Sequence, residues 1–218
     1  MRLTSYLSEN YVVLPKGEDV RKLISPKFRQ ETKGEFLYRG SDRLYGDGYI
    51  VKTSRLGDRV PFNTRPVSHA YLNKLFEKKF GWPVRNGVFV SGSETWADDY
   101  GMQVNFFYPI GDYKYCWNKQ IKDLYLNPVL ASAGDTEKYK DDYNDIKELA
   151  PKRLSEKKGY YYGITIDYTS LEAYIKSMDE GAKKMINEYQ STDLHEAIES
   201  GNEISFWCEK YILSKGEL

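Results

Sequence analysis

Cysteine and histidine are scarce in this chain, with two of each in 218 residues. Cys116 and Cys208 are too few for a disulfide framework. They sit in apolar, strand-like surroundings and read as small buried hydrophobes in a reducing compartment. His69 and His195 lie far from each other and from the cysteines in sequence, which argues against zinc and against a cysteine–histidine nucleophile. No apolar run approaches the roughly 20 residues that span a bilayer, and Met1 to Asn10 holds no signal-peptide core. Net charge is missing too: 32 basic residues balance 32 acidic ones, which speaks against a general binder of polyanions. There is no Walker loop and no glycine-rich dinucleotide fingerprint. Asp135, Asp141, Asp142 and Asp145 lack the glycine and closing glutamate of a calcium loop and read as a solvated helix face. These absences lead to the expectation of a cytoplasmic protein with no metal and no membrane partner.

What the chain has in quantity is aromatic: 20 tyrosines, nine phenylalanines and four tryptophans, side chains that fill cores and rims. The length suits one domain over residues 1–218. Apolar spacing predicts helices around Val20–Ile24, from a Ser68 cap to Phe80, over Glu94–Tyr100, Tyr139–Leu149 and Leu171–Tyr189, and over Asp193–Glu199. Strands are predicted at Phe36–Tyr38, Tyr49–Thr53, Val88–Val90, Met102–Tyr108, Tyr113–Trp117, Tyr160–Tyr168 and Ile204–Leu213. Residues 54–66, with Arg55, Arg59 and Arg65, read as a long functional loop. Residues 118–160 read as an insertion or surface lobe. Strands and helices mix without regular alternation, which gives an α+β class.

Three short pieces carry chemistry. Phe36-Leu37-Tyr38-Arg39-Gly40 and Val88-Phe89-Val90-Ser91-Gly92-Ser93 are apolar strands that end on polar residues. Asn202-Glu203-Ile204-Ser205-Phe206 instead opens a strand with a carboxylate. An arginine, a hydroxyl and a glutamate delivered to one place suit an anionic, glycosidic ligand. A guanidinium gives directional bonds to a diphosphate, and a carboxylate stabilises positive charge that builds on a sugar ring. Each residue has a plainer reading as well. Arg39 could be a surface ion-pair partner, Ser91 and Ser93 could cap the helix at Glu94, and Glu203 could be a solvated strand start, with Glu199 and Glu209 as register alternatives.

In order and local context these pieces resemble the ADP-ribosyltransferase family, in the branch marked by arginine, serine-x-serine and glutamate. The match includes the aromatic before Arg39, the glycine after it, the apolar triplet before Ser91 and Ile204 after Glu203. The resemblance runs from about residue 35 to 213, leaving residues 118–160 unaccounted for, and implies a split, strongly bent sheet flanked by helices. It implies NAD as substrate, with ADP-ribose transferred to an acceptor and NAD glycohydrolysis as the water reaction. In it Glu203 is catalytic, Ser91 hydrogen-bonds Glu203, Arg39 holds the diphosphate, and Gly40 lets its backbone approach the nicotinamide. Ser93, Tyr38, Trp96 and Tyr100 are further candidates for the NAD site, the aromatics as stacking surfaces. Two positions depart from the pattern. Gly92 replaces the middle threonine of the serine motif, and Gly201 stands where arginine-modifying members carry a second glutamate, which leaves the acceptor open. A looser likeness, from Asn63-Thr64-Arg65-Pro66 to Tyr108-Pro109-Ile110-Gly111, is to phage-encoded proteins of this type, and implies a host macromolecule as acceptor in the host cytoplasm. Zero net charge favours a protein or a small-molecule acceptor, the protein first, with nucleic acid as the open alternative. The rival expectation is a non-catalytic binding or virion-associated protein that keeps the fold.

Overall fold

A computed structural model describes residues 11–14, 19–41, 48–57, 59, 64–124, 126–161 and 163–218. Met1 to Asn10, residues 42–47, and residues 58 and 60–63 of the predicted loop lie outside them. The elements run β1 (Tyr11–Leu14), α1 (Pro26–Thr32), β2 (Tyr38–Ser41), β3 (Tyr49–Thr53), α2 (Pro66–Phe80), β4 (Val88–Ser91), α3 (Glu94–Asp98) and β5 (Gln103–Trp117). They continue as α4 (Pro128–Ala131), α5 (Thr136–Leu149), α6 (Pro151–Ser155), β6 (Lys158–Tyr161), β7 (Ile164–Asp167), α7 (Leu171–Glu188), α8 (Leu194–Ser200) and β8 (Glu203–Ser214). Helices and strands are mixed around a sheet core, an α+β arrangement. No helix among the described residues is long and apolar enough to cross a membrane.

Contacts gather the chain into two compact units, one of residues 1–59, 86–122 and 190–218, the other of 60–85 and 123–189. The first unit holds a sheet in the order β1-β3-β8-β4-β2-β5, with β5 also paired to β8. That extra pairing closes a circuit through β8, β4, β2 and β5. One long strand, β5, stands where two were predicted. It runs through Pro109 and breaks register with β8 between Ile110 and Tyr113, where Gly111 takes a positive φ of 69°. A bulge of this kind bends a strand sharply, so the two halves of β5 join different parts of the sheet. The inner face packs Leu37, Val88, Val90, Phe107, Ile204 and Ile212, all buried. Phe206 is fully buried among the rings of Phe28, Phe107, Tyr113 and Tyr115, at centroid distances of 5.3 to 6.3 Å. Burying one such side chain contributes about 2–3 kcal/mol. Cys116 and Cys208 are free and buried, and burial pushes the Cys208 thiol up to about 12.

The second unit contains α2, α4, α5, α6, α7 and the β6–β7 hairpin. Residues 123–160 therefore fold together with α7, while 118–122 belong to the sheet unit. Its core is largely tyrosine: Tyr139, Tyr143 and Tyr168 surround Tyr174 at 5.5 to 6.3 Å. The predicted strand Tyr160–Tyr168 is the hairpin instead, turning at Gly163, whose φ is 73°. Helix α2 starts at Pro66, ahead of the expected Ser68 cap, because a proline with no N–H to lose suits the first helical position. Asp135 is not a solvated residue either. It is buried, caps α5 by accepting from Lys138 N, and pairs with Arg65 at 3.0 Å.

Candidate functional site

The three predicted pieces fall on three adjacent strands, β8, β4 and β2. Between β4 and β8 the register is unbroken, with Val88 opposite Phe206, Phe89 opposite Ser205, Val90 opposite Ile204 and Ser91 opposite Glu203. Directly opposed residues project to one face, and alternation sends their neighbours to the other. Val88 and Val90 are therefore inside the core, while Phe89, Ser91 and Glu203 share the outer face. Strand β2 meets β4 at a single rung, Tyr38 opposite Ser91. Tyr38, Ser91 and Glu203 thus form one row across three strands.

Arg39 is one residue out of step with that row. It pairs with Asn105 of β5, and its Nη1 donates to Phe89 O at 2.7 Å. Its guanidinium lies 6.0 Å from the ring centre of Tyr211, a core residue. Beside it, Asn105 Nδ2 donates to Ser41 Oγ at 3.2 Å and Gln103 Nε2 to Asn105 Oδ1 at 2.9 Å. The structure sets Ser91 opposite Glu203 and Tyr38 opposite Ser91, and commits the Arg39 guanidinium to the Phe89 carbonyl.

The Ser91 hydroxyl does not do what the resemblance implies. It donates to Gly201 O at 2.8 Å and accepts from Ser93 N at 3.0 Å, so it ties the end of β4 to the residue that closes α8. Ser93 caps α3, its Oγ accepting from Trp96 N at 3.3 Å. Glu203 is half-buried with its Oε1 shielded from solvent, and Glu203 N donates to Lys122 O at 2.7 Å. Asn202, buried, donates through Nδ2 to Asn118 O and Lys119 O at 2.9 and 3.0 Å. The segment 118–122 is thereby pinned against the start of β8. Glu199 and Glu209, the register alternatives, are both exposed.

Each of the three glycines has a local cause. A Cβ on Gly40 would lie 2.1 Å from Ala97 O, so its open side is filled by α3 rather than left for a ligand. A Cβ on Gly92 would lie 1.9 Å from Ile198 O. Threonine is excluded there by the backbone of α8, not by the shape of a turn. Gly201 ends α8 with φ 66° and its N–H on Ile198 O, a left-handed cap that disfavours a glutamate.

Gly40 and α3 also fix which side α3 covers. Gly40 alternates with Arg39, so its open side is the Tyr38 side of β2, and α3 lies there. Trp96 of α3 is half-buried there, while Tyr100 is 51% exposed at the rim. The Tyr38 phenol is held above its ordinary pKa, first by burial and then by Glu94, Glu35 and Glu217, and its ring packs on Phe106 at 5.2 Å. Lys122 Nζ lies 5.7 Å from the Trp96 ring centre. Lys122 carries no motif signal, and only its backbone carbonyl on Glu203 N and its place over Trp96 reveal it. Among the described residues no three His, Cys, Asp or Glu side chains converge on a metal site. No family model, curated protein or solved structure matches the chain.

Proposed function

We propose that this protein is an NAD-dependent mono-ADP-ribosyltransferase with an ADP-ribosyltransferase-like bent sheet. The observation that carries the reading is the direct opposition of Ser91 and Glu203 on neighbouring strands, with the Arg39 strand next in order. A sheet closed by a bent β5 fits the split architecture that the resemblance implies. In this reading the bond between ribose C1 and the nicotinamide nitrogen breaks, its electron pair neutralising the ring. The acceptor's lone pair forms the new bond at C1, and the acceptor releases a proton. Glu203 stabilises the positive charge that develops on the ribose, an effect worth a few kcal/mol in a preorganised site. Ser91 acts at one remove, holding Gly201 and hence the approach to Glu203. Trp96 and Tyr38 offer ring faces on the same side. The acceptor is a macromolecule, a protein in the favoured version.

The second reading is a non-catalytic binding protein. What favours it is that the Arg39 guanidinium and the Ser91 hydroxyl both bind backbone carbonyls. The deciding experiment is nicotinamide release from NAD by the purified protein beside Glu203→Gln, with cell lysate as a source of acceptor. The enzyme reading expects release that falls about 100-fold or more in the variant. Equal release from both proteins, or none from either, overturns it.

A further inference from the structure

We propose that Lys122 supplies the cation of the site, taking the diphosphate that the motif pattern assigns to Arg39, and that Trp96 takes the nicotinamide. This deepens the proposed function and rests on it.

Three observations carry the inference. The Arg39 guanidinium is already engaged, its Nη1 donating to Phe89 O at 2.7 Å and its centre 6.0 Å from the Tyr211 ring centre, one residue out of step with the Tyr38–Ser91 rung. Lys122 lies beside Glu203. Its carbonyl accepts from Glu203 N, and its exposed ammonium stands over Trp96 on α3. Finally, the contacts close a ring around the candidate site. Trp96 N bonds Ser93 Oγ, Ser93 N bonds Ser91 Oγ, Ser91 Oγ bonds Gly201 O, Glu203 N bonds Lys122 O, and Lys122 returns to Trp96. Every link but the last is a hydrogen bond that involves the backbone. The last is an exposed cation over a ring, the link most easily exchanged.

Exchange is what NAD chemistry calls for. The nicotinamide of NAD is a planar cation, and a tryptophan face that holds an ammonium attracts a pyridinium by the same quadrupole. As the ring arrives, the lysine is displaced and its charge becomes free for the diphosphate beside it. Arg59 also lies on the outer face, 4.4 Å from the Phe89 ring centre. Its Nη1 is shielded from solvent, whereas the Lys122 side chain is exposed and free to swing.

The test uses two probes that divide NAD between them: ADP-ribose, with the diphosphate and no pyridinium, and nicotinamide riboside, with the pyridinium and no diphosphate. Titration of the full chain should show ADP-ribose binding about tenfold or more weaker in Lys122→Met, as expected for a lost charge-assisted contact. Lys122→Arg should retain it, and the salt dependence of ADP-ribose binding should flatten in Lys122→Met. Nicotinamide riboside should bind Lys122→Met at least as well as the unaltered protein, since a competitor for Trp96 has gone. In Trp96→Leu the pattern should reverse. Unchanged ADP-ribose affinity in Lys122→Met, or equal losses for both probes, overturns the proposal, while NAD binding by the unaltered protein still supports the underlying reading of the site. If the unaltered protein binds neither ADP-ribose nor NAD, the underlying reading of the site fails, and this proposal with it.

Discussion

The β4–β8 ladder and the β2–β4 junction hold the same kind of predicted residue in very different ways. Four consecutive rungs lock β4 to β8, so the face on which Ser91 and Glu203 meet is over-determined: a slip of one residue would throw Val90 and Ile204 out of the core. One rung joins β2 to β4. Beyond it the Phe89 carbonyl is open to a side chain, and Arg39 takes it. A site residue in a long ladder is positioned by the burial of its neighbours. One beside a single rung is positioned by whatever acceptor lies in reach.

That contrast can be broken most severely at Gly92. Gly92→Thr, which restores the residue usual in the motif, drives its Cβ into the Ile198 carbonyl of α8. Overpacking against backbone should cost about 3 kcal/mol, read as a lower urea midpoint with unchanged slope. Near-wild-type stability would mean that α8 can move away from the β4 terminus. A smaller effect is expected on the loosely held side. Arg39→Met should lower stability by about 1 kcal/mol, the worth of one partly exposed hydrogen bond, and should weaken ADP-ribose binding less than Lys122→Met does. A larger loss of ADP-ribose affinity in Arg39→Met would put the diphosphate back on β2. The smallest test sharpens the link from the ladder to Trp96. Ser93→Ala removes the cap of α3 and should cost at most about 1 kcal/mol, with nicotinamide riboside affinity falling more than that of ADP-ribose.

Much of the architecture was legible without coordinates. Ser91 and Glu203 were readable because each ends or opens an apolar run, and the alternation of that run states which side is buried. The helices at Pro66–Phe80, Leu171–Glu188 and Leu194–Ser200 followed from spacing, and Gly81 and Gly201 marked two of their ends. The continuous β5 was not legible, because Pro109 and Gly111 look like stops and become a bend only when β8 lies alongside. The hairpin of β6 and β7 was hidden by the same ambiguity at Gly163. Lys122 could not be found at all: it lies in a polar stretch without periodicity, and its place depends on Asn202 and Glu203 at the far end of the chain.

By itself, the sequence determined which residues stand at strand ends, which faces are apolar, and that Ser93 caps a helix. Those properties are local: they depend on alternation, on cap chemistry and on the φ that glycine allows. Only the tertiary structure decided that Ser91 is opposed to Glu203, that Arg39 is tied to the Phe89 carbonyl, that Gly40 and Gly92 are crowded by helices, and that Lys122 lies against the start of β8. Each of these depends on register and on how strands diverge, and those are set by contacts between residues 50 to more than 100 positions apart.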